Sequence, residues 1–275
     1  MKKVIILLLV LAFVLCACIA EQPAQNSEPT MVPTENGSIP TTEATEPTEI
    51  TGPTTAPTEA PTAPPHSELY LPQYGQQQMF EYFNEVVLHM EYSDGTGDVT
   101  LVQKWVNPIY YSYYGNPTEE DKAVLEALFA QLNAIPGFPG IYPAENAYQE
   151  NLSLSFLNRN DFNNSFLDVV HGEDAYGATQ FWYYTATNEI YTARIGYRSD
   201  IDQTTRNSIL LEEIINTLGI SDTVLRQDSI VYQYSNDNLV LSDVDWVILK
   251  ILYDPAIQCG MGAIGCAEII QRLYY

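Results

Sequence analysis

The stretch from residue 21 to residue 65 is the feature that most restricts how this chain can fold. It reads EQPAQNSEPTMVPTENGSIPTTEATEPTEITGPTTAPTEAPTAPP and consists largely of proline, threonine and glutamate. Such a composition offers almost nothing to bury, so packing cannot offset the conformational entropy that folding costs. With the cysteine that precedes it, residues 18–65 are predicted to form a disordered, extended tether. A folded domain is then confined to residues 66–275, which suffice for one hydrophobic core.

The first residues, MKKVIILLLVLAFVLCACIA, have the organisation of a bacterial lipoprotein signal. Two lysines precede an apolar run that is too short for a comfortable membrane span, and the run ends in the sequence LCAC. This predicts a signal peptide over residues 1–17, cleavage before Cys18, and lipid modification of Cys18 with palmitate or a similar chain. An uncleaved anchor and a simple secretory signal are the alternatives.

Lipidation of Cys18 predicts where the chain is located. Each buried methylene group contributes about 0.8 kcal/mol, so several acyl chains anchor a protein firmly whereas one does not. The predicted location is therefore the extracellular face of the cell membrane, with the lipid bilayer as a partner through the N-terminal lipid.

The charge of the domain restricts the classes of molecule that it can bind besides the lipid bilayer. The whole chain has 35 aspartate and glutamate residues against 11 lysine and arginine residues. Nine basic and 28 acidic residues remain once the signal and the tether are set aside, a net charge of about −19. Such a surface repels nucleic acid and anionic lipid, and it favours solubility or cationic partners. We expect no nucleic-acid binding, and an extracellular ligand whose identity the sequence leaves open.

Hydrophobic periodicity predicts an α+β domain. Helical patterns occupy residues 75–90, 116–137, 204–219, 241–255 and 263–273. Strand patterns occupy residues 99–115 (with an interruption at Asn107-Pro108), 151–158, 179–197 and the QDSIVY segment 227–232. Thr118 and Ser242 are predicted N-caps, and the strand pattern over 179–197 is predicted to be a hairpin that turns near Thr187-Asn188.

The segment LLEEIINTLG has the outline of the zinc-peptidase motif H-E-x-x-H-x-x-G. That motif places two imidazole ligands one helical turn apart, with a glutamate between them as general base for a metal-bound water. Glu213 and Gly219 are retained here, whereas Glu212 and Asn216 stand at the histidine positions. Asp222, three residues after the glycine, stands where a third ligand would be.

Three interpretations of this helix stay open. In an atypical zinc site, Glu213 would act as the catalytic base. The oxygen atoms of Glu212, Asn216 and Asp222 suit a harder ion such as calcium better than zinc. An ordinary helix with solvated glutamates would need only an apolar stripe facing the core, formed by Leu211, Ile214, Ile215 and Leu218. We expect no cofactor, with calcium or zinc as the open options.

Few other residues suit zinc. The chain has three histidines, His66, His89 and His171, and no pair of them has the spacing of metal ligands. Cys259 and Cys266, in the glycine-rich segment CGMGAIGC, are predicted to form a disulfide, with a pair of buried thiols as the alternative. Closing this short loop would contribute about 2–3 kcal/mol.

Tyrosine is unusually frequent, with 20 residues in the chain. The segments YYSYYG, residues 110–115, and FWYY, residues 181–184, place aromatic side chains on both faces of a strand. One face would belong to the core. The other could be a stacking platform for sugars or peptide, because tyrosine gives a large contact area at a low entropic cost.

Several segments resemble a bacterial secreted family of domains of unknown function, family 2927. They are YFNEVVLHMEY, KWVNPIYYSYYGNPTEEDKAVLEALFAQLNAI, NSILLEEIINTLGISDTVLRQDSIVY and LSDVDWVILKILYDPAIQCGMG. The resemblance implies a zincin-like, or metzincin-like, domain with a degenerate zinc motif, and it implies no activity. The Gly260-Met261 pair is similar to the methionine turn beneath a metzincin zinc.

These observations predict a cell-surface lipoprotein whose peptidase-like domain binds an envelope or extracellular ligand rather than cleaving it. A metal-dependent hydrolase of the cell envelope is the first alternative. An aromatic-lined carbohydrate or cell-wall binding module is the second.

Overall fold

The computed structural model of the protein describes residues 67–88, 101–167 and 175–274. The predicted signal and tether lie outside the described residues, as do Cys18, His66, His89 and His171. Among the described residues, no helix has both the length and the apolar character that a membrane crossing requires.

A six-stranded, mostly parallel sheet forms the centre of the domain. Strands β2, β3, β4 and β6 run parallel in the order β3-β2-β4-β6, short β1 pairs parallel with the start of β6, and β5 pairs antiparallel with β6. The strands are β1 Lys104–Trp105, β2 Ile109–Gly115, β3 Ile141–Pro143, β4 Leu152–Leu157, β5 Gly177–Tyr183 and β6 Glu189–Arg198.

Six helices accompany the sheet in the described ranges, and the predicted α+β class is confirmed. Thr118 and Ser242 cap α2 and α5 as predicted, each in a capping box with the aspartate three residues later. The helices are α1 Gln76–Leu88, α2 Glu119–Leu132, α3 Arg159–Ser165, α4 Gln203–Thr217, α5 Asp243–Tyr253 and α6 Ala263–Tyr274.

The two faces of the sheet differ. On β4, buried Leu152, Leu154 and Phe156 alternate with half-buried residues, so one face packs into the core. We call this the inner face, and α2 and α4 lie against it: Tyr111 of β2 packs on Phe129 of α2, with ring centroids 4.8 Å apart. On the opposite, outer face, the short helix α3 packs near the ends of β4, β5 and β6 through a small apolar cluster of Phe162, Phe166 and Ala178.

The two ends of the described domain are joined by hydrogen bonds between residues that are far apart in sequence. The Tyr274 hydroxyl oxygen at the end of α6 lies 3.1 Å from the carbonyl oxygen of Leu71 and 2.8 Å from that of Tyr74, and these two acceptors share its one proton. The backbone N–H of Leu71 donates back to the same hydroxyl at 3.2 Å, and the rings of Tyr70 and Tyr274 lie 5.7 Å apart. The segment before α1 is thereby fixed to the last helix.

One expectation was wrong. The QDSIVY segment, residues 227–232, forms turns instead of a strand, because Ser229 and Ile230 donate to the buried Asp245 carboxylate rather than to a neighbouring strand. Of the three interpretations of α4, the ordinary helix assumed solvated glutamates, whereas Glu212 and Glu213 are buried because α4 is enclosed on nearly all sides. The expected apolar stripe on α4 is buried as predicted, at Leu211, Ile214, Ile215 and Leu218.

Candidate functional site

Helix α4 carries most of the LLEEIINTLG segment, and the chain turns sharply at its C-terminal end. Gly219 has a φ of 94°, and a Cβ atom there would lie 2.0 Å from the backbone oxygen of Gln103. Only glycine satisfies both conditions. The reversal brings Asp222 back to the helix, where the Asn216 Nδ2 donates to the Asp222 Oδ1 at 3.1 Å.

The three candidate metal ligands predicted from the sequence, Glu212, Asn216 and Asp222, lie near this helix end. Glu212 precedes Asn216 by four residues and therefore shares its face. The Glu212 Oε2 accepts a hydrogen bond from Asn236 Nδ2 at 3.1 Å. Asn216 Oδ1 is buried and has no hydrogen-bond partner among the residues that the structure describes. The structure therefore brings Asn216 to Asp222 and adds Asn236, which the sequence did not single out.

Glu213, the candidate catalytic base predicted from the sequence, contacts the sheet. Thr179 Oγ1, on β5, lies 2.6 Å from the Glu213 Oε2 and 3.0 Å from the Glu213 backbone oxygen. A Cβ atom on Gly177 would lie 2.3 Å from Glu213 Oε1, so a larger residue there would displace the Glu213 side chain. Burial, with a smaller contribution from the Glu213 charge, raises the pKa of Tyr197 well above its ordinary value.

Successive residues of β5 face opposite sides of the sheet, and this alternation identifies Gly177 and Thr179 as residues that face α4. Their neighbours Ala178 and Gln180 face the outer side, so these two residues face α4. Within the part of the chain that the structure describes, no three His, Cys, Asp or Glu side chains form a group that could hold a metal ion.

Most of the domain matches one known protein family. Residues 76–272 match the family described as protein of unknown function, DUF2927. The chain belongs to this family. The DUF2927 match includes all six strands, α4 and the residues around its end. No curated protein matches the chain.

The two cysteines of the DUF2927 domain are free thiols, with Cys259 half-buried and Cys266 buried. Burial raises the pKa of both thiols, to about 11 for Cys266. Lys104 lies close by, and its ammonium group donates to the backbone oxygens of Leu252 at 2.7 Å and Ile257 at 2.5 Å. Burial lowers the pKa of Lys104. The Cys259–Cys266 disulfide stays a prediction for the oxidised protein.

A cavity of about 690 Å³ lies beside this lysine, lined by Trp105, Glu189, Tyr253 and Cys259 among others. Met261 lies near it, where its backbone oxygen accepts from Val102 N at 2.8 Å. The Met261 sulfur accepts from the backbone N–H of Gln258 at 3.3 Å. These contacts hold the glycine-rich segment 259–262 against the residues that precede β1.

Proposed function

We propose that this chain is a cell-surface lipoprotein whose DUF2927 domain binds an extracellular ligand without cleaving it, on a frame similar to that of zinc peptidases. The environment of Glu213 carries the proposal. A general base needs its carboxylate directed at a metal-bound water. The carboxylate of Glu213 instead accepts from Thr179 at 2.6 Å and packs against Gly177.

The ligand positions support the same conclusion. Zinc in peptidases is held mainly by imidazole nitrogens. At the corresponding positions, Glu212 accepts from Asn236 and Asn216 donates to Asp222, so these side chains hold α4 to the chain that follows it. The Gly219 turn and the return of Asp222 are the features that favour a zincin-like frame, since this is where the motif places its third ligand.

One observation favours a second candidate, an oxygen-ligand ion site. Within the described part of the chain, Asn216 Oδ1 is buried without a hydrogen-bond partner, on a side chain that already contacts the Asp222 carboxylate. Glu212 lies one turn away on the same helix face. Carboxylate and amide oxygens are the ligands that calcium prefers, and an ion there would supply the missing interaction.

A thermal-melt series distinguishes these candidates. If α4 is structural, Glu213→Gln should change the free energy of unfolding by less than about 1 kcal/mol, because glutamine keeps the shape and still accepts from the Thr179 hydroxyl. At this domain size that corresponds to a Tm shift of at most about 2–4 °C. Calcium, zinc and chelator should leave the Tm of the wild-type protein unchanged.

Two outcomes would contradict the proposal. A zinc-dependent rise in Tm that Glu213→Gln abolishes would indicate an active metal site. A calcium-dependent rise that grows with the logarithm of the ion concentration, and that Asp222→Asn abolishes, would establish the ion site instead. Asp237→Asn is the matched control, because Asp237 is exposed and its carboxylate accepts from the Ser235 hydroxyl at 2.6 Å.

The lipid anchor is tested on the full chain. Cys18→Ala should release the protein from the membrane fraction or leave its signal uncleaved, because the acylated side chain is removed. Cys16→Ala is the matched control, since it changes the neighbouring cysteine of LCAC and leaves Cys18 in place. Unchanged processing and full membrane retention of the Cys18→Ala protein would indicate a different anchor.

A further inference from the structure

The hairpin of β5 and β6 exposes aromatic rings on the outer face of the sheet. Trp182 pairs with Thr192 across the two strands, and Gln180 pairs with Arg194. Ala193 and Ile195 are buried on the inner face, so Thr192 and Arg194 lie on the outer face, as do their partners. Trp182 is 39% exposed.

The Trp182 ring is held in place by its neighbours. The guanidinium carbon of Arg194 lies 5.8 Å from the centroid of the Trp182 ring and 4.8 Å from that of Phe166. Arg194 Nε donates to Gln180 Oε1 at 2.8 Å. Cation–π contacts of this kind orient the ring before any ligand arrives.

A second pair of rings extends this surface along the hairpin. The register shifts between Trp182 and Tyr183, which leaves Tyr191 as the extra residue of a β-bulge. The bulge stacks Tyr191 on Tyr184, with centroids 4.5 Å apart and an interplanar angle of 26°. Both rings are open to solvent, Tyr184 at 53% and Tyr191 at 40%.

From the hairpin of β5 and β6, the outer face extends across the sheet to the other edge, at β3. Half-buried Ser153 and Ser155 of β4 alternate with the core residues, and on β3 the ring of Tyr142 lies 6.3 Å from that of Tyr110. At that edge the Tyr114 hydroxyl donates to Glu150 at 2.7 Å. Four strand spacings of about 4.8 Å separate β5 from β3, so the face is about 19 Å across.

We propose that this outer face binds a neutral polysaccharide, with the rings of Trp182, Tyr184 and Tyr191 as its stacking site. A sugar ring has an apolar face of C–H groups and an edge of hydroxyl groups. The exposed, preorganised aromatic rings can stack on the apolar face of a sugar. The serine hydroxyls and the Glu150 carboxylate can form hydrogen bonds with its hydroxyl groups.

Charge and position select this ligand over others. The domain has a net charge of about −19 (28 acidic and nine basic residues), so it repels polyanions while an uncharged sugar polymer meets no repulsion. The position depends on the proposed function: an extended tether rises about 3.1 Å per residue and would place a lipid-anchored domain among the polymers that cover the membrane.

Two soluble probes test the inference: the hexamers of β-1,4-linked N-acetylglucosamine and of β-1,4-linked glucose. Calorimetry with the purified domain should show binding of at least one of them. Trp182→Ala and Tyr184→Ala should each weaken that binding about tenfold or more, because each removes a stacking ring. Trp182→Tyr should restore most of it.

Tyr234→Ala is the matched control, since Tyr234 is 70% exposed but lies in the segment between α4 and α5. Loss of binding in this variant equal to that of Trp182→Ala, or no binding of either hexamer, would overturn the inference. Binding of polygalacturonate in preference to both neutral hexamers would overturn its charge argument. Retention of an envelope protein that is lost with Trp182→Ala, without sugar binding, would replace the sugar with a protein partner.

Failure of this test is distinct from failure of the proposed function. The melts with Glu213→Gln decide whether α4 is catalytic, and they do not involve the outer face. Glu213→Gln should therefore leave sugar binding unchanged.

Discussion

Replacing Asp245 with alanine is expected to lower the free energy of unfolding by about 4 kcal/mol, because several buried donors would lose their acceptor. The Asp245 carboxylate accepts from Ser229 Oγ at 2.6 Å, Ile230 N at 3.0 Å and Ser242 N at 2.9 Å. The Tyr82 hydroxyl of α1 lies 3.4 Å away. One buried side chain therefore joins α1, the turns after α4 and the N-cap of α5.

Urea unfolding of the purified domain measures this loss. Asp243→Ala is the matched control, because Asp243 is in the same first turn of α5 but is exposed. An exposed carboxylate near a helix N-terminus contributes only about 0.3–1 kcal/mol. Equal losses in the two variants would show that the contacts of Asp245 carry no more stability than an exposed charge does.

Replacing Arg206 with alanine is expected to cost about 3–5 kcal/mol, because it leaves Asp121 buried without its cationic partner. The Arg206 Nε lies 2.8 Å from Asp121 Oδ1, and both side chains are buried. This pair joins α4 to the capping box of α2. Lys122→Ala is the matched control: Lys122 pairs with Glu119 at 2.7 Å on the surface, where such pairs contribute about 0–1 kcal/mol.

The Asp121 carboxylate also makes stability depend on pH in a defined direction. Burial raises the pKa of Asp121, but hydrogen bonds from Gln203, from Thr118 and from Arg206 outweigh it, and the pKa ends below its ordinary value of 3.8. A lowered folded-state pKa contributes stability above the unfolded value, and this contribution is lost as pH falls through the folded value.

Unfolding measured from pH 6 downward should therefore show wild-type stability falling below about pH 4. The fall should be smaller in Asp121→Asn, which lacks the titrating group. An identical acid dependence in the two proteins would assign the fall to other carboxylates.

Local chemistry made most of the fold predictable. Thr118 and Ser242 bind the backbone of the turn that they begin, so the starts of α2 and α5 follow from a few adjacent residues. The hairpin turn could be predicted from asparagine at position 188, because asparagine tolerates the positive φ, here 60°, that such a turn requires. Strand β3 has three residues, too few to show a period, and α3 buries a single side chain, Phe162, so neither gives a pattern.

The surroundings of α4 could not be predicted because they depend on contacts between distant segments. Glu213 is buried because Gly177 has no side chain and Thr179 supplies a donor, both more than thirty residues earlier. Asn236 reaches Glu212 from 24 residues later. The contact between Asn216 and Asp222 is different, because the two residues are only six positions apart. Gly219, which lies between them, indicates the turn that brings them together.

The attachment of Tyr274 to the segment before α1 has a kinetic consequence. Its hydrogen bonds to Leu71 and Tyr74 span 203 and 200 residues, so they close loops that contain nearly the whole domain. A chain that is made from its amino end holds residues 70–74 without their partner until α6 is present. Closing such loops is slow because the entropy is lost before the contacts form. We therefore expect these residues to gain protection from hydrogen exchange in the last phase of refolding, after the sheet and α4 are protected.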